Sequence, residues 1–347
     1  MLILLTGANG FIAAHCIFAL VHAGHTVRGT VRTPQKATAT RAALQAAGLP
    51  QHQLDHNLEI VIVPDLTNPT HFTPAIMAGC EAVLHLASAF TYEAQPGQFE
   101  EKLLRPAVQG TTVLCEAAHQ TKTVRRVVIV SSFAAVYDAA KGPQPGKVYT
   151  DADWSPLGFE EGRDTRDVAV AYRASKVLAE KAAWEFVAIH SADFQLVTLC
   201  PGMVFGRMIH PIESLDELNA SNRIVWGVVK GGTEIPPTKA PVWVDVEDLA
   251  DACLRALTLD SPCLATHQRF LVTQGAYDTQ EIADIVRELV PQSRSRIAIG
   301  TPGKRIRDSH YGCDARKIQQ VLGVRFRGLR ESIIPLVEQL YAMEKDC

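Results

Sequence analysis

Short apolar runs alternate with helical stretches over the first 200 residues of this 347-residue chain. The runs that have the length and Val/Ile/Leu content of strands cover residues 2–5, 26–31, 59–63, 82–86, 127–130 and 195–199. Helical stretches at 105–119 and 172–189 lie between later runs. Apolar strands separated by helices are typical of a parallel sheet that is covered on both faces. The sequence therefore predicts an α/β fold with a doubly wound parallel sheet.

Short segments that contain a small or polar residue begin within two positions of the ends of four of these strands. They are Asp65 and Leu66, Ala87 and Ser88, Ser131 and Ser132, and Pro201 and Gly202. In doubly wound sheets, ligands bind in the crevice outside the carboxyl ends of the strands. We therefore expect the functional site at that edge of the sheet.

A glycine-containing turn joins the first strand to the first helix. Gly7 permits a tight turn, and Gly10 lets backbone N–H groups approach a pyrophosphate. The N-terminus of the helix behind them favours that negative charge. The third small position is Ala13, which still allows the helix to pack closely on the strand. An ordinary glycine turn is the alternative, but the strand, turn and helix in this order favour a dinucleotide site.

The second strand ends without the acidic residue that would bind a free ribose 2′-hydroxyl. It ends with Arg32, and Lys36 follows at the start of a helical stretch. Two cations at this place suit a 2′-phosphate, which favours NADPH over NADH. The alternative is that both are ordinary solvated surface cations.

Tyr172 and Lys176 are four residues apart in a helical stretch and so share one face of the helix. A neighbouring ammonium favours the ionised form of a phenol, which can then give or take a proton near neutral pH. Ser131 and Ser132 end a strand forty residues earlier. Most such tyrosine–lysine pairs are solvated helix surface, but the glycine turn in the same chain favours a catalytic role.

Composition excludes several classes of function. A net charge of −3 without a basic stripe argues against a nucleic-acid partner. The eight cysteines lack paired spacing and the twelve histidines are scattered, so we expect reduced thiols and no metal site. The first strand begins at residue 2 and the longest apolar run is too short to span a bilayer, so we expect a cytoplasmic protein without a membrane partner.

The composition changes after residue 202, where Gly, Pro and Asn become frequent. We predict a dinucleotide-binding domain over 1–202 and a smaller α+β, substrate-binding lobe over most of 203–347, with 241–275 returning to the first domain. Asp245 is expected to cap a helix by accepting from the Asp248 N–H, and Asp278 to open another helix in the same manner.

Taken together and in this order, the motifs resemble the extended short-chain dehydrogenase/reductases. The branch that they resemble most contains plant dihydroflavonol reductases and fungal NADPH-dependent aldehyde and methylglyoxal reductases. The motifs are Thr6-Gly7-Ala8-Asn9-Gly10-Phe11-Ile12, Ser131-Ser132, Tyr172-x-x-x-Lys176, Pro201-Gly202-Met203-Val204-Phe205-Gly206 and Val244-Asp245-Val246-x-Asp248. The resemblance extends over nearly the whole chain and implies a Rossmann fold.

The resemblance also implies roles for individual residues. Ser132, Tyr172 and Lys176 would form the catalytic triad, and Ser131 would face the nicotinamide or a backbone group. Gln109 stands where related sequences often carry Asn, which puts a proton relay through that position in doubt. The residues implied in binding NADP(H) are Gly7, Asn9, Gly10, Phe11, Ile12, Arg32, Lys36, Asp65, Leu66, Ala87, Ser131, Tyr172, Lys176, Pro201, Gly202 and Val204.

The implied activity is reduction of an aldehyde or ketone to an alcohol by NADPH, with Tyr172 as general acid, in a monomer or homodimer. Phe90, Phe133, Met203 and Trp226 are predicted to contact a small, largely apolar carbonyl substrate. One alternative is a nucleotide-sugar epimerase or dehydratase with bound NAD, which Arg32 and Lys36 argue against. Another is a non-catalytic NADP-binding regulator, which the presence of both Tyr172 and Lys176 argues against. A steroid dehydrogenase/isomerase is disfavoured because that group generally adds a membrane segment.

Overall fold

A computed structural model describes residues 1–88, 93–306 and 309–346 of the chain. Its strands are β1 (Leu2–Thr6), β2 (Thr26–Val31), β3 (Leu58–Ile62), β4 (Ala82–His85), β5 (Arg126–Val130), β6 (Val148–Tyr149), β7 (Gln195–Pro201), β8 (Met203–Phe205), β9 (Val242–Asp245), β10 (Gln268–Val272), β11 (Gly275–Ala276) and β12 (Gly312–Cys313). Its α-helices are α1 (Phe11–His22), α2 (Pro34–Ala46), α3 (Gln51–Asn57), α4 (Pro74–Met77), α5 (Arg105–Gln120), α6 (Phe159–Asp164), α7 (Val168–His190), α8 (Ala220–Val229), α9 (Val246–Thr258), α10 (Thr279–Leu289), α11 (Arg316–Leu322) and α12 (Leu329–Asp346).

The main sheet has seven strands in the order β10-β7-β5-β4-β1-β2-β3, and every neighbouring pair is parallel. The predicted α/β fold with a doubly wound sheet is confirmed, and each predicted strand lies within two residues of an observed one. The chain order reverses between β1 and β4, which lie side by side. This reversal opens the crevice in which such sheets bind ligands.

Helices cover both faces of the main sheet. Helices α1 and α9 pack against each other on one face, and α5 and α7 pack against each other on the other face. The predicted helix at 172–189 begins earlier, at Val168, because Asp167 caps it by accepting from the Ala169 N–H at 2.8 Å. The capped first turn places Tyr172 and Lys176 in the first half of a 23-residue helix, close to the carboxyl edge of the sheet.

The second part of the chain contains a small sheet in the order β11-β9-β8 and the mutually packed helices α8, α10 and α12. Strand β10 pairs with β7 at the edge of the main sheet. The predicted capping partner of Asp245 was wrong: its side chain accepts from the Glu247 N–H at 2.7 Å, one residue earlier than Asp248. Asp278 caps α10 by accepting from the Glu281 N–H at 2.7 Å.

Within the described residues, every helix is too short or too polar to cross a bilayer. In the same part of the chain, His, Cys, Asp and Glu side chains do not gather in groups of three or more that could hold a metal ion.

Candidate active site

A cavity of about 450 Å³ lies at the carboxyl ends of β3, β2, β1, β4 and β5, which are consecutive neighbours in the sheet. The predicted site residues that line it are Gly7, Asn9, Gly10, Arg32, Lys36, Asp65, Leu66, Ala87, Ser131 and Lys176. Helix α5 closes one side with Gly110 and Thr111, whereas Gln109 is exposed on that helix. The cavity is therefore an elongated groove across five strands.

The turn between β1 and α1 forms the middle of the groove. Gly7 has a φ of +73°, and a β-carbon there would lie 3.1 Å from the β-carbon of Ala87. Gly10 is the N-cap of α1 and donates its own N–H to the Gly7 carbonyl at 3.0 Å. Because Gly10 has no side chain, no cap blocks the first turn of the helix, and the backbone can approach a ligand closely.

Cations line one end of the groove. Arg32 follows β2 and Lys36 lies in the first turn of α2, and both side chains are exposed. Asp65 stands nearby after β3, where its Oδ1 accepts from both the N–H and the hydroxyl of Thr67, at 2.8 and 2.7 Å. These bonds lower the pKa of Asp65, with a smaller contribution from Arg32. This end of the groove therefore presents two positive charges beside one fixed carboxylate.

Of the predicted triad, Lys176 lies at the other end of the groove, and Ser132 and Tyr172 lie outside its lining. Lys176 lines the cavity, and Tyr172 is half-buried one turn before it on α7. The Ser132 hydroxyl accepts from the Ala134 N–H at 3.1 Å and caps a 3₁₀ turn over Phe133–Ala135. Helix α7 packs against that turn. A hydroxyl that accepts one bond still has its proton to donate, so Ser132 can hold an acceptor oxygen.

Burial lowers the pKa of Lys176 and of the neighbouring His85. It lowers the pKa of Lys176 to about 8, although the Glu180 charge acts in the opposite direction. It also lowers the pKa of His85 to about 3, with a further contribution from Lys176. His85 is therefore neutral at physiological pH, so that Lys176 is the titrating cation at this end of the groove.

Thr6 and His85 form a polar contact beneath the groove that the sequence reasoning missed. Their side chains lie 2.8 Å apart, between Oγ1 and Nδ1, in neighbouring strands. The Thr6 hydroxyl also accepts from the Leu86 and Ala87 N–H groups at 3.1 Å. Its proton is therefore left for His85 Nδ1, which places the ring proton of neutral His85 on Nε2.

Ser131 lines the groove, and its hydroxyl is held by a buried carboxylate. The hydroxyl donates to Glu180 Oε2 at 2.6 Å, and both side chains are buried. Glu180 in turn binds Arg269 of β10, with 2.7 Å between Arg269 Nε and Glu180 Oε1. The Ser131 hydroxyl is the nearest of three donors to Oε2, which Arg269 and Cys200 approach at 3.3 and 3.5 Å. The signal that could have pointed to Glu180 is its position one helical turn after Lys176.

Several residues predicted to bind the cofactor lie outside the lining of the groove. They are Phe11, Ile12, Tyr172, Pro201, Gly202 and Val204. Phe11 is buried edge-on against His15 and His210. Gly202 lies so close to β9 that a β-carbon would stand 2.5 Å from the Val242 carbonyl oxygen. The glycine at that position therefore allows the two sheets to approach each other.

Three of the residues predicted to contact substrate, Phe133, Met203 and Trp226, lie within the described part of the chain. Phe133 is 3% exposed in a cluster with Tyr137, Tyr149 and Tyr311, so its ring belongs to a buried aromatic core. Met203 and Trp226 are half-buried in the second part of the chain, and Phe90 lies outside the described residues.

The chain is similar to known oxidoreductases along nearly its whole length. An uncharacterised oxidoreductase of Schizosaccharomyces pombe is 38% identical over 86% of this chain and 84% of its own length. The ketoreductase azaE of Aspergillus niger is 31% identical over 97% of this chain and 98% of its own length. The crystal structure of yeast methylglyoxal/isovaleraldehyde reductase Gre2 complexed with NADPH superposes with a TM-score of 0.88 at 28% identity, and covers all of both chains.

The profile of the NAD dependent epimerase/dehydratase family matches residues 3–263, which is more than half of the chain. The relatives and the seven-stranded parallel sheet agree with that match. They confirm the resemblance to extended short-chain dehydrogenase/reductases. The chain belongs to the NAD dependent epimerase/dehydratase family of extended short-chain dehydrogenase/reductases.

Proposed function

We propose that this protein is an NADPH-dependent reductase that converts a small aldehyde or ketone to an alcohol. The observation that carries the proposal is the groove itself, which has two cations at one end and Lys176, one turn after Tyr172, at the other. Relatives named as a ketoreductase and as a methylglyoxal/isovaleraldehyde reductase support the same activity.

The groove fits a phosphorylated dinucleotide. Its floor at Gly7 is left open by the missing β-carbon, and the start of α1 offers backbone N–H groups and a positive helix end for a pyrophosphate. Arg32 and Lys36 would hold the 2′-phosphate, and Lys176 would bind the nicotinamide ribose. When bound, NADPH supplies the hydride for the carbonyl carbon.

The side chains of the protein supply the proton and the placement of the substrate. Tyr172 donates its phenolic proton to the carbonyl oxygen, and Ser132 holds that oxygen with its hydroxyl. The Lys176 ammonium favours the phenolate that remains on Tyr172. General acid catalysis of this kind contributes roughly 10²–10⁴-fold to the rate.

The finer assignments belong to the same proposal. Met203 and Trp226 would contact the substrate from a lobe that comprises most of 203–347, whereas residues 1–202, with 241–275, would hold the cofactor. We place the protein in the cytoplasm as a monomer or homodimer that acts on a small apolar carbonyl compound, without a nucleic-acid or membrane partner.

The test is NADPH oxidation by the purified protein with a panel of aliphatic and aromatic aldehydes and ketones, with NADH assayed beside it. We expect turnover of at least one carbonyl compound and a clear preference for NADPH. Equal use of NADH would contradict the role of Arg32 and Lys36. Tightly bound NAD in the purified protein, together with no turnover of any carbonyl, would favour an epimerase or dehydratase.

A further inference from the structure

The Glu180 carboxylate connects its own helix to three strands of the main sheet. It lies on α7 and binds Ser131 after β5, Cys200 of β7 and Arg269 of β10. The two nitrogens of Arg269 that reach it lie 2.7 Å from Oε1 and 3.3 Å from Oε2. Both side chains are almost completely buried, at 0% and 6% exposure. One carboxylate thus fixes the α7 helix against three strand ends.

Arg269 extends this junction to the loops around Ser132. It donates to the carbonyls of Ala135, Asp151 and Asp153, at 3.3, 2.8 and 2.5 Å. Its guanidinium carbon also lies 3.7 Å from the centre of the Trp154 ring. The Ala135 contact holds the end of the 3₁₀ turn that Ser132 caps. The position of Ser132 is therefore tied to Glu180 through Ser131 on one side and through Arg269 on the other.

The buried Glu180–Arg269 ion pair is poorly explained by a contribution to the stability of the fold. Desolvation of two charges often cancels their attraction, and apolar side chains of similar volume stabilise a fold equally well. The carboxylate of this pair lies one helical turn after Lys176, which lines the groove. We propose, on the basis of the proposed function, that Glu180 is a positioning residue for carbonyl reduction. It fixes Ser132 relative to Tyr172 and Lys176, and it supplies the negative charge that balances the Lys176 ammonium.

Among the described residues around Lys176, Glu180 is the one that supplies a negative charge. On β4, His85 is neutral because burial lowers its pKa to about 3. On β7, burial raises the pKa of the Cys200 thiol well above its usual value, so the thiol is also neutral. Arg269 on β10 is paired with Glu180, and Tyr172 shares the helix with Lys176. Removal of the Glu180 charge should therefore make the Lys176 ammonium easier to deprotonate.

The experiment compares Glu180→Gln with the wild-type protein by two measurements. The first is the pH profile of kcat and of KM for NADPH with the best carbonyl substrate from the panel. The second is the pH dependence of acetylation of Lys176 by acetic anhydride, followed by mass spectrometry, which reports the amine whether or not the protein turns over. Glutamine keeps the size and an oxygen acceptor for Ser131 but removes the charge.

We expect kcat of Glu180→Gln to fall about tenfold or more, with KM for NADPH within about threefold of wild type. The acetylation midpoint of Lys176 should move to lower pH by about two units, the order expected for a unit charge about 6 Å away, one helical turn along, at an effective dielectric near 20. The alkaline limb of kcat should move in the same direction. A folded Glu180→Gln protein with the wild-type midpoint and kcat would overturn the proposal.

Two further variants keep the test decisive. The double variant Glu180→Leu/Arg269→Met removes both buried charges at similar volume, so that it is expected to fold even if the single variant does not. Loss of turnover in it supports the positioning role, and wild-type turnover with a wild-type midpoint contradicts it. Glu59→Gln removes the partner of Arg28 in a pair outside the groove, at 2.7 Å, and should leave kcat unchanged. An equal fall of kcat in Glu59→Gln would also contradict the proposal.

Failure of the proposed function gives a different result. A wild-type protein that oxidises NADPH with none of the carbonyl compounds contradicts the reductase assignment. The acetylation midpoints still show in that case whether Glu180 balances Lys176.

Discussion

Arg327 binds Asp248 at both of its carboxylate oxygens. The Arg327 backbone N–H donates to Oδ2 at 2.7 Å, and its guanidinium donates to Oδ1 at 2.8 Å. The same guanidinium reaches Asp245 at 3.3 Å and Glu247 at 2.8 Å. One cation before α12 therefore pairs with three carboxylates at the start of α9, the helix that packs on α1. Two of those carboxylates, Asp245 and Asp248, are buried.

Arg327→Ala is expected to lower the free energy of unfolding by about 1–3 kcal/mol at pH 8, because partly buried carboxylates lose their shared counter-ion. Burial raises the pKa of Asp248 to about 6. Asp248 is therefore charged at pH 8 and largely protonated at pH 5, so the loss should be smaller at pH 5. Melting temperatures of both proteins at the two pH values measure the difference.

Arg330→Ala, which breaks an exposed pair with Glu288, is the control and should lower the free energy of unfolding by less than about 1 kcal/mol at either pH. A loss for Arg327→Ala that grows at pH 5 would contradict this account.

Gly7→Ala should weaken NADPH binding by about tenfold or more. The φ of +73° strains an alanine by about 1–2 kcal/mol, and its β-carbon would also crowd Ala87 in the groove. Quenching of protein fluorescence by NADPH gives the Kd. Gly24→Ala is the matched control because Gly24 has a φ of +82° and open space around it. It should lose stability but keep the wild-type Kd, and equal weakening in both variants would show that strain alone is responsible.

Tyr172→Phe should reduce kcat by about 10²–10⁴-fold, because the phenolic proton donor is lost while the ring remains. The Kd for NADPH should stay within about threefold of wild type. Steady-state kinetics and NADPH titration measure the two effects. Tyr341→Phe removes a hydroxyl that donates to the Val229 carbonyl, away from the groove, and should retain wild-type turnover. Near-wild-type kcat in Tyr172→Phe would eliminate Tyr172 as the general acid.

Arg32→Ser/Lys36→Ser should raise KM for NADPH by about 10–100-fold, because charge-assisted bonds to a phosphate contribute about 1.5–3 kcal/mol. KM for NADH should change by less than about threefold, since NADH lacks the 2′-phosphate. Lys122→Ser is the control: it removes an exposed cation that pairs with Asp193 outside the groove. If KM rises equally for NADPH and NADH in the double variant, the two cations do not select the phosphate.

Wild-type kcat should fall as the pH rises through about 8, because burial lowers the pKa of Lys176 to about that value and the neutral amine no longer favours a phenolate on Tyr172. The effect on folding has the opposite sign. Between pH 8 and 10.5 the unfolded chain binds more protons at this lysine than the folded chain, so its contribution to stability rises with pH. Melting temperatures across the same range separate the two effects. A flat kcat profile up to pH 10 would remove Lys176 from this role.

The fold and one end of the groove could be predicted from the sequence because local patterns of residues determine them. Apolar runs marked the strands, and Gly7, Arg32 and Asp65 follow strands directly, so the topology of a parallel sheet brings them together. Lys176 could be placed for a similar reason, since a helix with a four-residue spacing returns to one face.

The remaining contacts depend on residues that are distant in sequence. Glu180 and Arg269 are 89 residues apart, and Thr6 and His85 are 79 apart, so no local pattern joins them. The orientation of the Ser131 hydroxyl depends on that same buried carboxylate. Phe133 was predicted to contact substrate because it follows the serines, but the rings of Tyr149 and Tyr311 enclose it from later parts of the chain.

Strand β10 is synthesised after the other six strands of the main sheet, which affects when the chain can complete its fold. Residues 268–272 supply one edge strand of the main sheet and the counter-ion of Glu180. They are synthesised long after the glycine turn, Ser132, Tyr172 and Lys176. A nascent chain that has emerged only to residue 202 would hold a buried carboxylate without a cation and an unpaired edge at β7. Release of a further seventy residues from the ribosome should therefore be the step that makes the first 202 residues resistant to protease.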